Sequence, residues 1–166
     1  MPRAPDDPAA LAGRLYDEYG ASLYRYALIV LADAAAAEDA VHQVFAALMR
    51  GRLPAVDDHE RYLRRAVRNE CFSTLRRRAV DGDRVPRADG TTQLLEPRPE
   101  AGTAPEDRLA LERAIRSLPP DQREVIHLHV YEGMTFQEVA TLADESVNTI
   151  ASRYRYALAK LRQALS

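Results

Sequence analysis

The sequence predicts an all-α fold made of two small helical domains joined by a flexible linker. Of the 166 residues, 46% are apolar and only seven are glycine, and the frequent alanine and leucine favour helix over sheet. Apolar residues recur at helical spacing along most of the chain. A stretch rich in proline and glycine over residues 80–106 interrupts this pattern and separates two groups of helices.

The N-terminal domain is predicted over residues 8–79 as three amphipathic helices. Their expected ranges are 9–31, 35–50 and 58–78, and Gly51 ends the second of them. Each range carries apolar residues at the spacing of a helix that has one face in a core. The residues expected to face inward from the second helix are Ala37, Val41, Val44, Phe45 and Leu48.

The C-terminal domain is predicted over residues 107–166 as four helices. Pro120 suits the first turn of the second helix, which is expected to end at Gly133. Its residues expected to face inward are Val125, Ile126, Leu128 and Val130. Acidic residues outnumber basic ones in the linker over 80–106, so we expect the linker to be flexible and to avoid polyanions.

The last 32 residues, from Thr135 onward, predict a helix-turn-helix. Thr135 and Glu138 fit a capping box at the start of the first helix, and a polar turn over 144–147 follows. The second helix is expected to place its apolar stripe inward, on Val147, Ile150, Tyr154, Leu158 and Leu161. A helix of this kind fits the major groove of DNA; the plainer alternative is a helical hairpin with a solvated basic face.

The predicted DNA-reading surface lies at the start and on the exposed face of that second helix. Its residues can meet base edges and phosphates. They are Ser146, Asn148, Thr149, Ser152, Arg153 and Arg155.

Charge is distributed unevenly along the chain. The formal net charge is only −2, yet residues 59–79 hold seven arginines against two glutamates, and residues 146–166 hold four basic residues and no acid. Because the local field governs binding to a polyanion more than total charge does, the two patches predict two separate contacts with nucleic acid.

The basic patch in the third helix mixes arginines with Tyr62, Asn69 and Phe72. Arginines bind phosphates, aromatic faces stack on unpaired bases and Asn hydrogen-bonds a base edge. The mixture suits opened DNA better than closed duplex. For Phe72 a place in the core is the favoured interpretation, whereas for Tyr62 core and DNA contact stay equally open.

Several functional classes are disfavoured. The chain has no apolar run long enough for a membrane span and no signal peptide, and its single cysteine, Cys71, excludes an internal disulfide. We therefore expect a cytoplasmic protein without membrane insertion. Glycine-rich phosphate loops are lacking, and His127 and His129 point to different faces of a helix, one packed and one in solvent. We expect no enzyme, no metal and no cofactor.

Taken together, these features resemble the small bacterial sigma factors of the extracytoplasmic-function (ECF) group. The resemblance covers about residues 10–78 and 107–164, in the domain order of that family. It rests on four stretches in sequence: AEDAVHQVF (37–45), YLRRAVRNECFSTLRRR (62–78), LPPDQREV (118–125) and EGMTFQEVATLADESVNTIASRYRYALAKLR (132–162).

The resemblance implies that the chain binds core RNA polymerase, recognises two promoter elements as duplex and melted strand, and helps to open the duplex. The N-terminal domain then binds polymerase and the minus-ten element, and the C-terminal domain binds the minus-thirty-five element. The implied polymerase-binding residues are Asp39, His42, Gln43 and Phe45. The implied DNA-binding residues of the first domain are Tyr62, Arg65, Arg68, Asn69, Arg76 and Arg77.

The chain departs from the family pattern at several of these positions. His42-Gln43 stands where Gln-Glu is usual, and Tyr62 stands where tryptophan is usual. Asp144 replaces the turn glycine, and Ala151 replaces a frequent basic residue. Two other functions remain open on the sequence: a sigma-like regulator that acts without core polymerase, and an interaction protein held by an anti-sigma factor.

Overall fold

The computed structural model describes residues 7–82, 94 and 104–166. The chain divides into two compact units, residues 1–86 and 87–166, and within the described residues all regular secondary structure is helical. The predicted all-α fold is therefore confirmed. Most of the predicted linker lies outside the described residues.

The first unit contains three helices: α1 (Pro8–Leu31), α2 (Ala34–Met49) and α3 (His59–Val80). Each begins within one residue of its predicted start and ends within two residues of its predicted end. The agreement follows from capping, because Asp33 accepts a hydrogen bond from the Ala36 N–H (3.1 Å) and Asp58 accepts one from the Arg61 N–H (3.0 Å).

Helix α1 ends at a backbone conformation that is unusual for its residue. Ala32 has φ 52 and ψ 32, in the left-handed region, where a Cβ atom crowds the following carbonyl. Its N–H bonds to the Leu28 carbonyl (2.8 Å), which closes the last turn of α1 and turns the chain directly into the cap of α2.

The three helices of the first unit pack pairwise against one another. The inward residues predicted for α2 are all buried, and α3 contributes Leu63, Val67 and Cys71 to the core. The Phe45 ring packs edge-on against the Tyr16 ring, with centroids 5.2 Å apart. Helices α2 and α3 are thereby fixed with their remaining faces exposed.

The second unit contains α4 (Pro105–Ser117), α5 (Pro120–Ile126), a π-helical turn (His127–Tyr131), α6 (Phe136–Ala143) and α7 (Val147–Leu165). Pro120 occupies the first turn of α5 as predicted. A core cluster joins α4, α5 and α7 and is made of Ala114, Ile115, Leu118, Ile126, Ala157 and Leu161.

The corner between α4 and α5 is held by a buried arginine. The Arg123 guanidinium donates to the carbonyls of Leu118 and Arg116, the latter at 3.3 Å. Burial, followed by repulsion from the nearby Arg116, lowers the pKa of Arg123 to about 10. Arg123 thus satisfies carbonyls that the end of α4 leaves without helical partners.

The prediction of one regular helix up to Gly133 is wrong, because α5 is followed by the π-helical turn His127–Tyr131. The Glu132 N–H bonds to the His127 carbonyl five residues earlier (3.0 Å), which widens the helix and rotates the following side chains. Val130, predicted to face inward, is consequently 54% exposed. Periodicity alone does not reveal the extra residue in this turn.

Both histidines of the π turn have protein partners, and the expectation that one is packed and the other meets solvent holds in part, because His127 is buried and His129 is partly exposed. His127 is buried and its Nε2 lies 3.0 Å from Glu132 Oε1. His129 is half-buried, with its Nδ1 2.8 Å from the Met134 carbonyl oxygen. Its ring also packs against Phe136 and Tyr154, at centroid distances of 4.4 Å and 5.0 Å.

Leu94 is the one described residue inside the predicted linker range between Gly82 and Ala104. It is buried, and its N–H donates a hydrogen bond to the Glu112 carboxylate on α4. This residue therefore belongs with the second unit. Across the described part of the chain, no helix combines the length and the apolar character that crossing a membrane requires.

Candidate nucleic-acid and polymerase interface

The helix-turn-helix predicted from the sequence is present, with α6 and α7 as its two helices. Thr135 and Glu138 form the predicted capping box, through reciprocal hydrogen bonds of 3.1 Å each. Hydrogen bonds from the Thr135 backbone N–H and then from its side chain to the Glu138 carboxylate lower the pKa of Glu138. Helix α6 packs against α7, and Val139 and Ala140 of α6 and Ile150 of α7 are all buried.

The turn between α6 and α7 depends on a left-handed residue. Asp144 has φ 55 and ψ 47, a conformation that aspartate tolerates better than most residues but less well than glycine. Ser146 then caps α7 by accepting a hydrogen bond from the Thr149 N–H (3.1 Å). These two residues set the direction in which α7 leaves the turn.

The face of α7 that leads away from its buried residues carries most of the predicted DNA-reading residues. Asn148 and Arg155 are exposed, while Thr149 and Ser152 are half-buried. Arg155 Nη2 donates to Ser152 Oγ at 3.2 Å. Val147, predicted to belong to the inward stripe, is instead 37% exposed because it occupies the first turn, beyond the reach of the core.

Arg153 has a different environment from the other predicted reading residues. Its Nε lies 3.3 Å from Asp121 Oδ2, and its Nη2 lies 3.2 Å from Glu145 Oε1. The side chain is 21% exposed. Arg153 therefore links α7 both to the start of α5 and to the turn before α7.

Tyr156 is an exposed residue of α7 that sequence reasoning did not select. It is 64% exposed and follows Ser152 by four residues, so it lies on the same helix face. The four-residue spacing from Ser152 was the feature of the sequence that could have placed Tyr156 on this face. An exposed tyrosine there adds an amphipathic surface next to Arg155.

The predicted residues of α3 fall into an exposed row and a half-buried group. Arg65, Asn69 and Arg76 are exposed at helical spacing, and Arg77 is exposed beside them. Tyr62 and Phe72 are half-buried. The Arg68 guanidinium lies 4.5 Å above the Phe72 ring, so that ring supports an arginine from below.

The predicted polymerase-binding residues of α2 also divide into two groups. Asp39, His42 and Gln43 are exposed at i, i+3 and i+4, on one face of the helix. Phe45 is only 6% exposed and packs on Tyr16. Phe45 therefore supports this face from the core, which corrects its assignment as a contact residue. In the described residues no three His, Cys, Asp or Glu side chains gather as metal ligands would.

Comparison with known protein families assigns both units. Residues 15–80 match the family model "Sigma-70 region 2", and residues 108–161 match "Sigma-70, region 4". The first range spans α1 to α3, and the second contains the helix-turn-helix. The two matches define the class: a sigma-70-type protein with region 2 and region 4 in sequence order.

Individual relatives narrow the class. The ECF RNA polymerase sigma factor SigL of Mycobacterium tuberculosis (strain ATCC 25618 / H37Rv) is 34% identical over 164 residues, covering 95% of this chain and 90% of the relative. The RNA polymerase sigma-E factor of Streptomyces coelicolor is 32% identical over 148 residues, covering 87% and 80%. This chain belongs to the ECF group of RNA polymerase sigma factors, as the sequence resemblance predicted.

A solved structure agrees on the fold. The co-crystal structure of the sigma factor RpoE in complex with the anti-sigma factor NepR from Bartonella quintana matches with a TM-score of 0.67 at 23% identity. The match covers 92% of this chain and 95% of the other. The helical architecture is thus one that a known sigma factor adopts.

Proposed function

We propose that this sigma factor directs core RNA polymerase to specific promoters through three surfaces: the exposed face of α2, the basic row of α3 and the exposed face of α7. The observation that carries the proposal is the pair of exposed basic helices, α3 and α7, one in each family-matched unit. Two such helices on one chain suit two separated promoter elements.

Helix α7 is the proposed reader of the upstream duplex element. Its capped start presents Ser146 and Asn148, and Arg155 follows two turns later. Amide and guanidinium groups make bidentate contacts with adenine and guanine edges in the major groove. Arg155 supplies the positive charge that also brings phosphates close.

Helix α3 is the proposed reader of the opened strand at the downstream element. Arg65, Arg76 and Arg77 supply phosphate contacts, and Asn69 supplies a base contact. The half-buried Tyr62 offers an aromatic face for an unstacked base. Capture of flipped bases offsets the few kcal/mol that unstacking costs, so this role needs recognition rather than a catalytic residue.

The exposed face of α2 is the proposed contact with core polymerase. Asp39, His42 and Gln43 form its polar part. We also propose the predicted division of the chain, with domains over 8–79 and 107–166 and a flexible tether over 80–106. Once one domain is docked, a tether raises the effective concentration of the other at its own site.

We extend the proposal to location and regulation. A factor that acts with bacterial polymerase works in the cytoplasm. An anti-sigma factor is the proposed third partner, by analogy with the Bartonella quintana sigma factor, whose solved complex contains one. Such a partner would bury exposed apolar residues. The second unit has three of them in Val130, Tyr131 and Leu109.

The test is binding to purified core RNA polymerase followed by run-off transcription from a genomic fragment library. We expect retention of core and discrete transcripts, which would also supply the promoters. A variant with Asp39, His42 and Gln43 replaced by alanine should lose core binding and keep its helical circular dichroism. The proposal would be contradicted if the wild-type chain did not bind core polymerase while residues 107–166 still bound duplex DNA. That result would favour a regulator that acts without polymerase.

A further inference from the structure

The three consecutive arginines at the end of α3 have two different environments. Arg76 and Arg77 are exposed, and within the described residues their side chains bond to hydroxyls of their own helix, Ser73 Oγ (3.1 Å) and Thr74 Oγ1 (3.2 Å). Arg78 instead points at another helix, with Nη2 2.9 Å from Asp33 Oδ2. Its side chain is 16% exposed, so it is withdrawn from the surface that its neighbours share.

The partner of Arg78 is the residue that starts α2. Asp33 Oδ1 accepts the Ala36 N–H (3.1 Å), and the Asp33 carbonyl accepts the Ala37 N–H (2.9 Å). One carboxylate therefore caps α2 with one oxygen and binds Arg78 with the other. Because Ala32 turns the chain sharply just before this cap, the direction of α2 depends on how firmly Asp33 is held.

The ion pair has the properties of a firm contact. The two side chains are equally buried, at 16% exposure each, so water screens the pair far less than it screens a surface salt bridge. Arg78 Nη1 is buried, with no hydrogen-bond partner among the described residues. A guanidinium withdrawn from water needs a carboxylate partner, and Asp33 supplies it.

The firmness of the Asp33 cap also affects the exposed face of α2. Asp39, the first residue of that face, lies one turn beyond Ala36. We propose that Arg78 is a positioning residue for polymerase binding: it holds the Asp33 cap and thereby orients the face formed by Asp39, His42 and Gln43, and it makes no contact with DNA. The inference rests on the proposed function, since it assigns the α2 face to core polymerase.

The experiment compares four full-length variants with the wild type. Arg78→Gln removes the charge from one side of the pair. Asp33→Asn keeps an acceptor for the cap but removes the charge from the other side. Arg52→Gln is the matched control, because it makes the same change on an exposed arginine of the same unit that has no proposed role in binding. The double variant Asp33→Asn/Arg78→Gln completes a thermodynamic cycle.

Two quantities are measured: hydrogen exchange of the amides in the first turns of α2 in the free chain, and the dissociation constant for core polymerase. Loss of a firmly held cap should speed exchange and weaken core binding by about fivefold each. We expect this for Arg78→Gln and Asp33→Asn and no change for Arg52→Gln. The double variant should lose less than the two single losses combined, because it leaves no buried charge unpaired.

The outcomes separate this inference from the proposed function. A wild-type chain that does not bind core overturns the proposed function and the positioning role with it. If the wild type binds core and Arg78→Gln binds equally well, only the positioning role is overturned. An increase in exchange for Arg52→Gln as large as for Arg78→Gln also overturns it, and so do strictly additive losses in the double variant, because then the Asp33 pair has no special effect.

Discussion

Helices α3 and α7 are both basic, and each carries a half-buried arginine that is paired with a carboxylate from outside its own helix. The partners of these two arginines differ. Arg78 of α3 pairs with Asp33, 45 residues earlier in the chain, at the start of another helix. Arg153 of α7 pairs with Glu145, eight residues earlier in the turn before its own helix, and also with Asp121. The first pair joins the end of α3 to the start of α2, whereas the second fixes α7 to α5 and to the turn before α7.

On the proposed function, positive charge on these helices has two uses. Exposed arginines such as Arg77 and Arg155 are available for phosphates and base edges. The paired arginines Arg78 and Arg153 already have carboxylate partners. Counting the arginines of a basic patch therefore overstates the number of DNA contacts. The predictions below test this division, from the largest expected effect to the smallest.

Arg155→Ala should weaken holoenzyme binding to an upstream promoter element by about 1–3 kcal/mol if the guanidinium contacts a base. The free energy of unfolding should stay unchanged, because Arg155 is exposed and its bond to Ser152 stays within one helix. Electrophoretic mobility shift with a selected promoter measures the first quantity and urea denaturation the second. Equal affinity for wild type and variant would remove Arg155 from the reading face.

Asn69→Ala should impair promoter opening more than closed-complex binding, by about tenfold in the fraction of open complexes. Asn69 is exposed in the middle of the α3 row, where a strand base is expected. Permanganate footprinting of unpaired thymines measures the open fraction. Exposed Glu60, on the same helix, supplies a control substitution, Glu60→Ala. An unchanged thymine signal in Asn69→Ala would contradict the proposed role of α3.

Arg153→Ala should lower the stability of the second unit by about 1 kcal/mol, because its two partly exposed ion pairs are lost. The sequence alone predicts something else, a loss of about 1–3 kcal/mol in DNA binding from a base-reading arginine. Urea denaturation and promoter binding of the same variant distinguish the two. Unaltered stability together with a large binding loss would restore Arg153 to the reading face.

Asp144→Gly should stabilise the second unit by about 0.5 kcal/mol, since glycine adopts φ 55 without Cβ strain. The matched substitution in the first unit, Ala32→Gly, should gain less. Ala32 has a similar φ of 52, but its methyl group is buried. Removing that methyl group loses about 0.8 kcal/mol of hydrophobic stabilisation, which offsets the relief of backbone strain. Thermal unfolding compares the two; a larger gain at Ala32 would contradict this ranking.

Glu138 should make a small, pH-dependent contribution through the capping box. Its pKa in the folded chain is lowered by the hydrogen bonds from Thr135. The stabilisation is therefore present above the ordinary value of 4.5 and is lost as the pH falls through the lowered folded value. The stability difference between wild type and Glu138→Ala should shrink in acid. A difference that is constant with pH would exclude a role for the carboxylate charge.

The sequence predicts most of the fold because the signals are local. Caps such as Asp33, Asp58 and Thr135 mark helix starts, and helical periodicity marks the core faces. The π turn was missed because one extra residue per turn leaves no compositional mark, and Val130 was consequently placed inside. Phe45 was predicted to be a contact residue because the family resemblance assigns a whole segment to polymerase binding. Only the burial of each side chain in the structure separates the surface residues of that segment from its core residues.

The ion pairs of Arg78 and Arg153 lay beyond sequence reasoning for a different reason. An arginine in a basic run has the same local pattern whether it faces solvent or an acid from another helix. Only the packing of α2 on α3 brings Asp33 to Arg78, and only the packing of α5 on α7 brings Asp121 to Arg153. The residue types were identified correctly, but their roles depend on tertiary contacts.

The most direct test of this division is the salt dependence of promoter binding by holoenzyme formed at saturating core polymerase. The variants are Arg77→Gln against Arg78→Gln, and Arg155→Gln against Arg153→Gln. The slope of log affinity against log salt should fall by about 1 for Arg77→Gln and for Arg155→Gln. It should not change for Arg78→Gln or Arg153→Gln. A fall of the same size in all four variants would contradict the account, because then the paired arginines also contact phosphates.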